Sequence, residues 1–207
     1  MTTLMTMASK EEARALGTSA TRPAVMIPLV IGFALLTWAG ARVRVPVPFT
    51  PVPGTLQTLP VLLSGALLGA RAGLASQTTY LLMGLGGLPV FALPGAGPAY
   101  LLGPTGGYLL GFLAAAYVTG RVRGLTRSLG ATGALLAFAA GTAALYLCGL
   151  SWLTGYLGGN MSAAVRAGLL PFAAFDLAKI IVATGIDAAW RRAGPGRTET
   201  WKGVTPS

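Results

Sequence analysis

Long windows without a single charge alternate with short arginine clusters along this chain. No Asp, Glu, Lys or Arg occurs between Arg22 and Arg42, Arg44 and Arg71, Arg71 and Arg121, or Arg127 and Arg166. A helix that crosses a bilayer needs roughly 20 mostly apolar residues, with about 17 to 25 observed. Cut to that length, the windows predict six spans: residues 24–41, 56–70, 72–88, 106–120, 130–150 and 168–190. The expected fold class is an all-α integral membrane protein with six transmembrane helices. Residues 23–192 form its one membrane domain, residues 1–22 an extension before it and residues 193–207 a tail after it.

Composition agrees with that division. Hydrophobic residues make up 54% of the 207 positions and charged residues 10%, and the mean hydropathy is +0.69, too apolar to cover a soluble globule. The net charge of +10 suggests nucleic acid until the basic residues are placed. With the amino terminus inside, eleven of the fifteen fall on the inner side: Lys10, Arg14, Arg22, Arg71, Arg121, Arg123, Arg127, Arg191, Arg192, Arg197 and Lys202. Arg42, Arg44 and Arg166 fall outside, and Lys179 lies within a span. This is the positive-inside pattern of a multi-pass protein of the prokaryotic cell membrane with both termini cytoplasmic, and it removes the argument for nucleic acid. The first 22 residues carry Lys10, Glu11, Glu12 and Arg14 and lack the apolar core of a secretory signal. The single cysteine, Cys148, offers neither a disulfide framework nor a thiolate metal cluster.

The three outer connections hold the unusual sequence. In the first, Val45-Pro46-Val47-Pro48-Phe49-Thr50-Pro51-Val52-Pro53-Gly54, four prolines in eight residues exclude a regular helix and predict a stiff polyproline-like segment. The second, residues 86–105, is rich in glycine and uncharged. Irregular backbone at membrane depth survives only where it is buried in protein or lines a cavity, so the two apolar loops are expected to cap a pocket. The third, residues 151–167, carries Trp152, Tyr156, Asn160 and Arg166 and is expected to supply either interface aromatics or ligand contacts.

Asp176 and Lys179 stand in an otherwise apolar sixth segment, three residues apart and so on one helical face. An ionisable group at bilayer depth costs about 2.5 to 3.5 kcal/mol. One reading lets the two neutralise each other and dock the last helix. The other turns them toward a polar ligand. A buried pair seldom stabilises more than well-packed apolar side chains do, which favours the ligand. Small residues four apart, Gly133, Ala137 and Gly141 or Gly111 and Ala115, read as close helix packing. With no histidine in the chain, zinc-protease motifs and serine–histidine triads are excluded, and no lysine among Lys10, Lys179 and Lys202 sits in a phosphate-binding loop.

Four strings occur together and in order: Val45 to Pro53 as above, Thr55-Leu56-Gln57-Thr58-Leu59, Gly87-Leu88-Pro89-Val90-Phe91-Ala92, and Gly103-Pro104-Thr105-Gly106-Gly107-Tyr108. In this combination the chain resembles the BioY family, the biotin-specific substrate-binding subunits of energy-coupling-factor importers, over roughly residues 24–190. The resemblance implies capture of biotin from outside, no enzymatic activity and no cofactor of its own. It also implies a transmembrane coupling subunit and two cytoplasmic ATPase subunits as partners, which consume the ATP.

The family's acid and lysine of the last helix match Asp176 and Lys179. Its mid-chain asparagine and arginine have no counterpart in the uncharged stretch from Ala72 to Gly120. Small residues of the first helix, Gly32, Ala34, Ala39, Gly40 and Ala41, are the ones expected to meet the coupling subunit. For biotin, Asp176 is expected to accept from a ureido nitrogen, and Lys179 to donate to the ureido oxygen or to the tail carboxylate. Phe49, Phe91 and Tyr108 then enclose the rings, and Gln57 adds a hydrogen bond. Two further readings stand beside this one, a subunit of the same kind for another vitamin and a stand-alone carrier or channel. A membrane-embedded enzyme is the remotest, because no nucleophile and base are evident.

Overall fold

A computed structural model of the chain describes residues 23–45 and 50–193. The described chain is helical except for one two-residue ladder, two long irregular stretches and short turns at 157–160 and 169–172. Helix α1 (Pro23–Arg42) leads into strand β1 (Arg44–Val45), which pairs antiparallel with β2 (Gly54–Thr55), with Arg44 opposite Thr55. Next come α2 (Thr58–Leu68) and α3 (Ala70–Leu85), joined by Gly69 alone. Its φ of +89° is a conformation open to glycine and strained for other residues. A single-turn helix α4 (Pro98–Leu101) interrupts the second irregular stretch, and α5 (Gly106–Leu125) follows. A 3-10 turn (Arg127–Leu129) leads to α6 (Gly130–Tyr156), then α7 (Met161–Gly168) and α8 (Ala173–Ala193).

Many large apolar side chains face out, and small residues sit where helices meet. On α1, Ile27, Ile31, Leu36 and Trp38 are exposed while Ala34, Thr37 and Ala41 are fully buried. The same inversion runs through Leu82, Leu147 and Ile181, all at least 60% exposed. An outward face that apolar has lipid as its solvent, and close approach of the helix backbones then supplies the packing. A Cβ at Gly65 would overlap the carbonyl of Ala116, and one at Gly120 the backbone of Ala70, so α2, α3 and α5 meet main chain to main chain. Gly141 of the predicted small-residue series faces Thr119 of α5, and Gly111 faces Leu145 of α6, both inside the bundle. On α1, Ala34 and Ala41 are buried and Gly40 lies against the backbone at Gln57. Gly32 and Ala39 alone of the five small residues named there keep an outward position.

Helices occupy all six predicted windows, but few of them meet the requirement for a span unaided. Ala24–Arg42 and Arg127–Tyr156 are long and apolar enough, and Met161–Gly168 with Ala173–Ala193 make a third when taken as one span bent by 53°. Helix α2, at 11 residues, is only about 16 Å long at ~1.5 Å per residue. Three expectations change. The third connection is largely helical, since α6 runs on to Tyr156 and α7 begins at Met161, its N-cap Asn160 accepting from the amide of Ala163 at 3.0 Å. The sixth segment starts at Ala173 rather than residue 168, because Pro171 cannot continue the helix of α7. The basic stretch at 121–127 is not a plain connection, since Arg121 and Arg123 belong to the end of α5.

Arg123 is buried there and grips Asp187 of α8 with two bonds, Nε to Oδ1 and Nη2 to Oδ2, both 3.2 Å. Arg191 adds a contact to Oδ2 at 2.7 Å, and Arg123 Nη1 donates to the carbonyl of Thr126. A forked pair of this kind compensates the burial of both charges and ties α5 to α8.

Gly65→Ala is expected to destabilise the protein by about 1–3 kcal/mol through overpacking, while Gly32→Ala, with nothing within 4 Å of the added carbon, stays within about 0.5 kcal/mol of the parent. Thermal unfolding of both variants in detergent measures the contrast, and equal midpoints would refute main-chain packing at Gly65.

Candidate functional site

The irregular segments, the starts of α2, α5 and α8, the middle of α6 and the last residue of α7 surround one cleft. Its open space, mouth included, is about 610 Å³. Residues 52–55 and Ala92, Tyr100 and Thr105 form the loop side, and Tyr108, Leu109, Phe112, Leu145 and Phe172 form apolar walls. Asp176 and Lys179 stand on the far side with Thr58 and Tyr146.

Local sequence explains how α8 presents its acid. Asp176 lies in the first turn, where the amide dipoles favour a carboxylate, and its own amide donates to the carbonyl of Phe172 at 2.8 Å. Lys179 follows one turn later, and its Nζ donates to Asp176 Oδ1 at 2.7 Å and to Thr58 Oγ1 at 2.8 Å. Asp176 Oδ2 accepts from the hydroxyl of Tyr146. The ammonium also sits 4.3 Å from the centre of the Phe175 ring. An ammonium carries three donors, and two are directed at protein oxygens. The acid and the lysine thus pair with each other, and they do so while lining an open cleft.

The other predicted site residues have different fates. Tyr108 lines the cleft, its hydroxyl donating to the carbonyl of Gly168 at 2.9 Å. Gln57 lines it too, with Nε2 donating to the Tyr80 hydroxyl at 2.6 Å and Oε1 accepting from Thr55 at 3.1 Å. Tyr80 in turn donates to the carbonyl of Val90 at 3.1 Å, so a wall residue and the 86–105 segment share one hydrogen-bonded chain. Phe91 is not in the wall. Its ring fills the space left by the missing side chain of Gly84 and stacks under Tyr100 at 4.4 Å, and Tyr100 is the ring that meets the cleft. Phe49 lies outside the described residues, as do Pro46, Val47 and Pro48.

Thr58, Tyr100 and Tyr146 were not singled out from the sequence. Tyr146 is a phenol in a long uncharged helix, with Thr142 one turn before it as the one polar residue that marks its face in the sequence. Trp152, expected at an interface or on a ligand, instead packs against Gly107 and donates to the carbonyl of Gly103 at 2.9 Å, which fastens the turn before α5.

Comparison with known proteins decides the family. The model of the BioY family matches residues 9–196. The chain belongs to the BioY family. The "Probable biotin transporter BioY" of Pyrococcus horikoshii is 39% identical over 168 residues, covering 81% of this chain and 96% of that protein. The "Biotin transporter BioY" of Thermotoga maritima is 39% identical over 151 residues, covering 73% and 86%. Among solved structures, the S-component for biotin from an ECF-type ABC transporter superposes with a TM-score of 0.74 at 23% identity, covering 85% of this chain and 95% of that one. At that identity the superposition speaks for the fold. A BioY-family chain with two helices fit to span a bilayer is a membrane protein.

Tyr80→Phe removes the hydroxyl that joins Gln57 to Val90, leaving a buried donor and a buried acceptor unpaired at a cost of about 1–3 kcal/mol. Faster hydrogen exchange at the amides of residues 90–93 is the expected reading, and unchanged exchange there would show that this chain does not anchor the segment.

Proposed function

We propose that this chain captures biotin in the cleft and serves as the substrate-binding subunit of an energy-coupling-factor importer. The observation that carries the proposal is the Asp176–Lys179 pair opening onto an apolar cleft, in a chain of this family. Biotin is a fused bicycle with two ureido N–H donors, one ureido oxygen and a carboxylate tail. Asp176 accepts from the ureido nitrogens, and the uncommitted donor of Lys179 reaches the ureido oxygen. Tyr100, Tyr108, Phe112 and Phe172 enclose the bicycle, and Gln57 and Thr58 add polar contacts at its edge.

Capture is binding and not chemistry, so the chain acts as a transporter subunit and not as an enzyme. In this proposal the six helical windows all cross the cytoplasmic membrane, and both termini face the cytoplasm. Two observations support that orientation. Pro23 and Ala193 lie at the far ends of α1 and α8 from the cleft. Arg71, Arg121, Arg123, Arg191 and Arg192 gather at those far ends as well, whereas Arg42, Arg44 and Arg166 share the cleft's end. The cleft then faces outward. A transmembrane coupling subunit and two cytoplasmic ATPases supply the ATP hydrolysis for which none of the three lysines is placed.

Asp176→Asn keeps the shape of the acceptor and removes its charge. It is expected to weaken biotin binding by about 10- to 100-fold, the equivalent of the roughly 1.5–3 kcal/mol of a hydrogen bond to a charged group. Isothermal titration of protein purified alone in detergent reads it. Equal affinity in variant and parent would remove Asp176 from the site. Displacement of biotin by another vitamin at lower concentration would point to that vitamin as the substrate.

A further inference from the structure

The charge balance of the cleft goes beyond the choice of biotin, although it rests on that reading. Eighteen described residues line the space, and Asp176 and Lys179 carry the only formal charges among them at neutral pH. They are already joined at 2.7 Å. The site is therefore net neutral, and each charge is compensated before any ligand arrives. Residues 46–49, Pro-Val-Pro-Phe, carry no ionisable side chain. Two other cations at this end of the bundle are engaged elsewhere, and the side chain of Arg44 is exposed and does not line the cleft. Arg42 donates to the carbonyl of Pro89 and lies over the Trp38 ring, and Arg166 donates to Ser162 on the exposed face of α7.

A neutral cyclic urea matches a compensated pair, because it brings donors to the acid and an acceptor to the amine without changing the net charge. A carboxylate brought to the same place leaves one negative charge buried without a partner, which is costly in an apolar cavity. We infer that the cleft recognises only the neutral bicyclic head of its ligand and leaves the end of the acyl tail in water at the loop-side mouth. The substrate class is then broader than the free acid. It includes ligands in which the tail carboxylate is converted to an amide or a small ester. Arg42, Arg44 and Arg166 near the mouth attract a free carboxylate only through solvent, an effect that salt screens beyond about 8 Å at physiological ionic strength.

Competition titrations of the full chain in detergent at 0.15 M salt test this with biotin, biotin amide, biotin methyl ester and iminobiotin, whose ureido oxygen is replaced by an imino nitrogen. The amide and ester are expected to bind within fivefold of biotin. Iminobiotin, which donates where Lys179 also donates, is expected to lose at least 50-fold. Biotin bound tightly with its amide and ester weakened fivefold or more would overturn the inference alone, since it would mean the carboxylate is held by the protein. Absence of binding by biotin itself would overturn the biotin reading and this inference together.

Discussion

A carboxylate and an ammonium held together inside an apolar bundle, at the edge of an open cleft, govern how this molecule is organised. Asp176 cannot be left bare in that surrounding, so it collects Lys179, Tyr146 and Thr58, which come from α8, α6 and α2. Three helices are thereby held at one point. The same requirement shapes the loop side, because irregular backbone beside lipid needs internal partners. Tyr80, Tyr100 and Trp152 supply several of them.

Helix α8 carries two buried ion pairs, and the contrast between them separates a site from a strut. Toward its C-terminal end Asp187 receives Arg123 through a two-bond fork and Arg191 besides, and Arg123 spends another donor on the carbonyl of Thr126. Arg123, Asp187 and Arg191 are not among the residues that line the cleft. Toward the N-terminal end of α8, Lys179 keeps a donor free beside the cleft, and its partners are the Thr58 hydroxyl and the Asp176 carboxylate, both of which line that space. Both arrangements compensate buried charge. One is closed on itself, and the other has capacity left for a guest.

The wall of the cleft is built in two layers. Tyr100 and Tyr108 face the space, while Phe91, seated on Gly84, and Tyr80 stand behind them. Rigid second-layer rings hold the first-layer rings at fixed positions, which is what a small, mostly apolar ligand requires of its pocket. The bond from Tyr80 to Val90 joins that second layer to the 86–105 segment.

Composition and spacing along the chain determined the solvent of this protein, the approximate positions of its six long apolar segments, its breaks at the proline- and glycine-rich segments, and the placing of an acid and an amine one turn apart on one helical face. These are local properties, carried by residues within a few positions of each other. The tertiary structure alone decided that Thr58 and Tyr146 complete the pair, that Phe91 retreats behind Tyr100, that Arg123 is a buried partner of Asp187, and that α2 is too short to span alone. Such contacts join residues as far apart as Thr58 and Lys179, 121 positions in sequence. In helices apolar on every side, no polar stripe marks which face turns inward. That choice falls to the close approach of small residues such as Gly65, Gly120 and Gly141, and only the packed bundle reveals where it occurs.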